Sequence, residues 1–425
     1  MDREFEEYLE RFSRLGKRVA GLERARALMK ALGSPQDSLR FIHVTGTNGK
    51  GSICEMLSGA FTAAGYRTGL FTSPYITQYN DRIRINGTNI TDDELHSLLP
   101  RIRAAAEESG YGRDFSQFEI TMAAGLIYFK KCGCDIVILE AGLGGLLDCT
   151  NIIKDNVCSV IGSIGLDHTA ILGDTVEQIA FQKAGIIKEG CPCILSPCND
   201  ESAVKVFKRQ AKEKNALLLI PDMREIKITD TGFEYLAKNR YRGHYSPAMA
   251  GEHQVRNAAA VISACIVAGT AAGKGFELPP EAVKAGIESA RLHGRAEIIS
   301  RRPLIISDGG HNPDAAKALR QVLSGFYKKG ERFTAVIGMS EDKNIKEYIR
   351  TVMPYIERFI PVDDFSDRAK NAKELSEIIK SCGGEVMPVM QTENAVSALF
   401  SSDSAGLICG SLYLVSAVEA RSPRG

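Results

Sequence analysis

Tryptophan is absent from all 425 residues, and so is any excess of charge: 53 Lys and Arg stand against 52 Asp and Glu, a formal net charge of +1. Near-neutrality excludes bulk electrostatic recruitment of nucleic acid or an anionic membrane, so any anionic ligand needs a local site. Long apolar runs are missing too, none approaching the roughly 18 residues of a membrane span. The amino-terminal MDREFEEYLERF is charged where a secretory signal would be apolar. The expectation is a cytoplasmic chain with no membrane or nucleic-acid partner. The eleven cysteines are odd in number and scattered, which excludes a secreted disulfide framework. Cys132 and Cys134 form a C-x-C, and Cys191, Cys193 and Cys198 a looser group. Neither has the spacing or the nearby histidines of a zinc site, so they read as small buried side chains in a reducing compartment.

What is present is alternation. At this length two or three domains are expected. FIHVTG (41–46), RTGLFTS (67–73), DIVILEAG (135–142) and VCSVIGSIG (157–165) are apolar throughout and end in small residues. Strands of a buried parallel sheet have that character. GSICEMLSGAFTAAG (51–65) follows the first as a helix, and TDDELHSLLPRIRAAAEES (91–109) opens with a Thr cap and early acids. EIKITDTGFEYLAKNRYRG (225–243) alternates by twos around Asp-Thr-Gly, a hairpin pattern. From Pro303 a second strand–helix series runs through LIISDGG, FTAVIGM, RFIPVD, EVMPVM and LICGSLYLVSAV. The expected division is 1–295 and 296–425, two α/β domains with a cleft between them for ligands.

Chemistry concentrates at the strand ends. GTNGKGS (46–52) places Gly49, Lys50 and Gly51 between a strand and a helix, a shortened variant of the G-x-x-x-x-G-K-[ST] phosphate loop in which Gly46 stands two residues closer to Gly49 and Gly51 separates Lys50 from Ser52. Backbone N–H groups, a helix N-terminus and Lys50 could hold phosphate, or the stretch is a tight turn with a solvated lysine. The other strand ends weigh against the turn. Ser73 follows the second strand, Glu140 ends the third, and Asp167 and His168 follow the fourth, with Lys183 on the next helix. Carboxylates at the C-terminal edge of a parallel sheet face the ligand crevice and can hold Mg²⁺.

GTNGKGS, TSP (72–74), the Glu140 strand with its GLGG-x-LD-x-TN continuation, and LDHT…LG-x-T…KAGI-x-K together resemble the folylpolyglutamate synthase family of the Mur ligase superfamily. GEHQVRNAAA (251–260), HGRAE (293–297), DGGHNPDAA (308–316), GMSEDKN (338–344) and CGSLYLVSAV (409–418) extend the resemblance, collinear, over nearly the whole chain. It implies a P-loop-type, mainly parallel ATPase domain that also binds folate, and a smaller Rossmann-like α/β domain for glutamate ligation. It implies a monomer that joins L-glutamate to a folate, to dihydropteroate or to both, through an acyl phosphate made with ATP. Thr47, Asn48, Gly49, Lys50, Gly51, Ser52, Asn257, Arg295, Asp308 and Lys343 would grip the nucleotide. Ser52, Ser73, Glu140 and His168 would place Mg²⁺. Lys50, Lys183, Asp308 and His311 would act at the reaction centre, with Lys183 carbamylated as in relatives. The stretch 21–36 would border the pterin pocket. Tyr75, Leu146, Gln182 and Gly310 stand where the family commonly has His, Arg, Glu and Ala.

Three rival readings meet obstacles in the sequence. A peptidoglycan-precursor ligase of the same superfamily needs a further domain ahead of its glycine loop, where this sequence has 45 residues. A regulatory P-loop module leaves Lys183, His311 and the second domain without a task. A dinucleotide oxidoreductase needs G-x-G-x-x-G at its first strand–helix turn.

Overall fold

A computed structural model of the protein describes residues 2–12, 21–270, 275–328 and 330–419. The chain divides into two compact units. The first comprises Met1–Gly165, Thr169–Ala248 and Val255–Ala290; the second comprises Leu166–His168, Met249–Gln254 and Arg291–Gly425.

The first unit is built on an eight-stranded sheet: β1 (Phe41–Thr45), β2 (Thr68–Phe71), β3 (Ile83–Ile85), β4 (Thr88–Asn89), β5 (Ile136–Glu140), β6 (Cys158–Ile161), β7 (Cys193–Leu195) and β8 (Leu218–Leu219). Their spatial order is β4-β3-β2-β5-β1-β6-β7-β8. All neighbours from β2 to β8 are parallel, and β3 and β4 extend the edge as an antiparallel ribbon. Central strands covered on both faces must be apolar on both, and β1, β2, β5 and β6 are buried at every position. One core cluster packs Phe41, Phe71, Leu139 and the helix Gln117–Lys131 against the amino-terminal helices. A bidentate pair anchors those helices: Arg24 reaches Glu119 at 2.8 Å, with both side chains nearly buried. The expected hairpin forms as β9 (Ile226–Thr229) and β10 (Gly232–Tyr235), and β11 (Gly243–Tyr245) completes a separate three-stranded sheet.

The second unit holds a five-stranded sheet of β12 (Glu297–Arg301), β13 (Leu304–Asp308), β14 (Phe333–Ile337), β15 (Ile356–Pro361) and β16 (Ala405–Cys409), ordered β12-β13-β16-β14-β15. Only β12 runs antiparallel to its neighbour. EVMPVM departs from its strand reading, since only an isolated bridge joins Val386 to Phe359. Pro388 has no N–H to continue a ladder beyond that point. All eleven cysteines are free, and Cys198 is the exposed one among them. Among the described residues, no helix is long and apolar enough to cross a membrane.

Candidate active site

β1 lies between β5 and β6 in the middle of the parallel sheet, so its C-terminal end sits where open α/β sheets bind ligands. The loop leaving it is shaped by two glycines. Gly46 has φ +156°, and a Cβ there would lie 2.9 Å from the Asn48 carbonyl oxygen. Gly49 has φ +86°, and its Cβ would lie 2.6 Å from Asn257 Oδ1. Left-handed backbone and close side-chain approach both require glycine. The peptide N–H groups of Thr47 and Asn48 are tied to the Ser163 carbonyl at 2.8 and 3.2 Å, and Thr47 Oγ1 donates to the Gly165 carbonyl at 3.0 Å. The helix Lys50–Ala63 begins directly after Gly49 with no acid of its own in its first turn.

Two lysines meet on one oxygen. Lys50 Nζ donates to the Gly46 carbonyl at 3.0 Å, and Lys183 Nζ donates to the same carbonyl at 2.9 Å. Lys183 is 4% exposed. On the other flank of β1, Ser73 N–H donates to Glu140 Oε2 at 3.2 Å. Glu140 and Ser52 are both buried.

Below this edge runs a second network. His43 Nε2 lies 2.9 Å from Thr150 Oγ1, which itself donates to Asp148 Oδ1 at 2.5 Å. The other oxygen of Asp148 accepts the Leu143 N–H at 2.8 Å. Thr45 Oγ1 donates to the Gly144 carbonyl. The glycine loop 142–148 is thereby fixed to β1. Burial pushes His43 down to about 3, helped by the charge of Lys188, and pushes the Asp148 carboxyl up.

In the second unit, Asp308 ends β13 as a buried carboxylate held by the N–H groups of Ala296 and Gly310, each at 2.9 Å. Burial raises its pKa, while the positive charge of Arg295 is the largest influence opposing that rise. His311 Nδ1 donates to the Gly309 carbonyl at 3.2 Å. Asp167 takes Lys343 Nζ on Oδ1 at 2.8 Å, and its Oδ2 lies 3.4 Å from His311 Nε2 and 3.3 Å from Asn312 Nδ2. Despite desolvation, those neighbours hold the Asp167 carboxyl far below the usual carboxylate range.

The Mur ligase middle domain matches residues 44–265, and the Mur ligase glutamate ligase domain matches 294–412. The dihydrofolate synthase/folylpolyglutamate synthase of Bacillus subtilis (strain 168) is 32% identical over 423 residues, covering 94% of each chain. The chain belongs to the folylpolyglutamate synthase family of Mur ligases. It is therefore an ATP-dependent ligase. The folylpolyglutamate synthase of Lacticaseibacillus casei is 34% identical over 345 residues, 79% of each chain. The solved structure of Escherichia coli FolC in complex with DHPP and ADP superposes with a TM-score of 0.85 at 30% identity, covering 98% of this chain and 96% of that one.

Within this family member, the residues singled out in the sequence fall into separate groups. Thr47 to Ser52, Asn257, Ser73, Glu140 and Lys183 lie in the first unit. His168, Arg295, Asp308, His311 and Lys343 lie in the second. Asn257 touches Gly49, Lys50 joins Lys183, and Ser73 joins Glu140. His168 stands at φ +50° with its side chain 42% exposed beside Asp167, in the other unit from Glu140. Glu140 offers a carboxylate and Ser52 and Ser73 offer hydroxyls, oxygen donors of the kind that Mg²⁺ takes.

The departures from the family pattern have local structural settings. Leu146 N–H donates to the Gln182 carbonyl at 2.7 Å, so two of the altered positions meet through backbone. Tyr75 is exposed and lies under the Arg82 guanidinium, 5.2 Å from ring centroid to charge. A Cβ on Gly310 would lie 2.7 Å from Asp308 Oδ1 and 2.8 Å from Ala315 Cβ, closer than the packing here admits. Sequence reasoning noticed Asp167 but gave it no role, and missed the His43–Thr150–Asp148 chain altogether. The available signals were a carboxylate directly before His168 and a histidine in the middle of an otherwise apolar strand.

Proposed function

We propose that this ligase joins the amine of L-glutamate to the free carboxylate of a folate, using ATP and releasing ADP and phosphate. The observation that carries this reading is the glycine loop that brings Lys50 and the N-terminus of a helix to one point, with Lys183 on the same Gly46 carbonyl. One cation and a helix dipole there suit a polyphosphate.

A carboxylate does not condense with an amine in neutral water, because its oxygen is too poor a leaving group. In the proposed sequence an acceptor carboxylate oxygen attacks the γ-phosphorus and ADP departs, leaving an acyl phosphate. The glutamate amine attacks that carbonyl carbon and loses a proton, and phosphate leaves with the C–O bonding pair. Such transfers depend on alignment and charge neutralisation. Lys50 and the loop 47–52 would hold the β- and γ-phosphates, with Asn257 fixing the loop at Gly49. Arg295 has the fork geometry for phosphate oxygens. Asp308, His311 and Lys343 would serve the nucleotide and the incoming glutamate. Ser52, Ser73 and Glu140 would hold Mg²⁺, which supplies neutralisation of phosphate charge when bound.

Lys183 is assigned as the carbamate of its side chain. An ammonium beside Lys50 raises the energy of both, and carbamate formation from CO₂ and the neutral amine replaces that repulsion with attraction. Eleven unpaired thiols agree with a reducing cytoplasm.

The test is a substrate panel with MgATP and glutamate, offering tetrahydrofolate and dihydropteroate separately and resolving products by chromatography. Phosphate release that requires an acceptor and glutamate together supports the reading. Slow release independent of both returns the protein to a regulatory nucleotide-binding role. The panel also decides whether one acceptor or both are used.

A further inference from the structure

We propose that Asp167 is a positioning residue that sets the places of Lys343 and His311 for the glutamate-joining step. The inference rests on the function proposed above and gives a task to a side chain that the reading leaves unused.

The Asp167 carboxylate collects donors from three stretches of the second unit. Oδ1 accepts Lys343 Nζ from the SEDKN turn at 2.8 Å and the His168 N–H from its own segment at 2.9 Å. Oδ2 faces His311 Nε2 at 3.4 Å and Asn312 Nδ2 at 3.3 Å, both from the loop after β13. The side chains of Asp167 and Lys343 are 10% and 9% exposed, so water screens their attraction little. Further charged or titratable groups face the cluster: Asp342, 3.4 Å from Lys343 Nζ; His168, whose Nε2 is 4.0 Å from Oδ1; and Asp308, within electrostatic reach of His311. Asp342 is 44% exposed and offers Lys343 a different resting place if Asp167 loses its charge.

Both His311 ring nitrogens face acceptors, Nδ1 the Gly309 carbonyl and Nε2 the Asp167 carboxylate, so the two contacts together set the ring. Asn312 caps the helix Pro313–Tyr327 through the Ala315 N–H while its amide nitrogen reaches Asp167. One carboxylate therefore ties a cation, an imidazole and a helix cap into one rigid group. Catalytic and binding side chains lose rate steeply when misplaced by about 1 Å.

The test compares Asp167→Asn, Asp167→Glu, Lys343→Met and the double variant Asp167→Asn/Lys343→Met, with circular dichroism and thermal midpoints as fold checks. Expected for Asp167→Asn is at least a tenfold loss in kcat/KM for glutamate. Asp167→Glu should recover most of that loss, and the double variant should be little worse than Lys343→Met alone. Unchanged kcat/KM in Asp167→Asn, or losses that multiply in the double variant, overturns the proposal. So does a lowered thermal midpoint with normal constants per folded molecule, because that marks a purely structural pair. Should Asp167→Asn fail to fold, the double variant, which removes both charges, carries the comparison with Lys343→Met. A wild-type protein inactive with every folate acceptor sinks the proposed function and this inference together; an active wild type matched by Asp167→Asn sinks only the inference.

Discussion

Acid should unfold the first unit partly through one histidine. His43 is fully buried in β1, and its hydrogen-bond chain fixes its tautomer. Thr150 Oγ1 spends its proton on Asp148, so His43 Nε2 must donate, leaving Nδ1 as a buried acceptor with no partner. A proton on Nδ1 would be a cation with nothing to receive it, which is why burial takes the imidazole from 6.5 down to about 3. The folded value lies below the unfolded one. The stability at stake is therefore complete above about pH 6.5 and is lost as pH falls towards 3. At about 1.4 kcal/mol per pH unit, the drop from pH 7 to pH 4.5 amounts to about 2.5 kcal/mol from this group alone. His43→Gln is the control, since its side-chain amide can still donate to Thr150 and does not titrate. The measurement is urea unfolding at pH 7, 5.5 and 4.5, followed by circular dichroism because there is no tryptophan to report. His43→Gln should be less stable than wild type at pH 7 and should close the gap by about 2 kcal/mol at pH 4.5. Parallel pH dependences in the two proteins would refute the reasoning.

Three further outcomes concern the site. Lys50→Ala should lower turnover by about 10²–10³-fold with the thermal midpoint preserved, and near-normal activity at saturating ATP would return the glycine loop to an ordinary turn. Glu140→Gln keeps an oxygen to accept the Ser73 N–H, so the fold should hold while the Mg²⁺ titration of activity moves to much higher concentration. Superimposed titrations would remove Glu140 from the metal. Lys183→Ala should be inactive yet partly rescued by acetate, and wild type refolded without CO₂ or bicarbonate should lose activity. The absence of both effects would leave Lys183 a plain amine.

The parallel core was legible because β1, β2, β5 and β6 are apolar at nearly every position and end in glycine or another small residue, a pattern set by local chemistry alone. The hairpin was legible for the same reason, with Thr229 and Gly232 paired across a two-residue turn. EVMPVM misled because its hydrophobicity is that of a strand while Pro388 denies it the ladder. Partners distant in sequence stayed hidden. Nothing local in FIHVTG says that His43 will meet Thr150, and nothing in LDHT says that Asp167 will take Lys343 from 176 residues away. The family motifs marked Lys343 and His311 one by one; the carboxylate joining them carries no motif signal of its own beyond its place before His168.

The lysine pair also explains how a chain with a net charge of +1 can select a polyanion. Averaged over the molecule, the field is close to nothing, so selection has to come from charges concentrated against each other. Lys50 and Lys183 arrive from different helices onto one carbonyl oxygen, and Lys183 is almost completely out of water. On the proposed reading Lys50 supplies the charge that meets phosphate and Lys183 carries the carbamate. Acetate rescue of Lys183→Ala is the result that separates that reading from two plain amines.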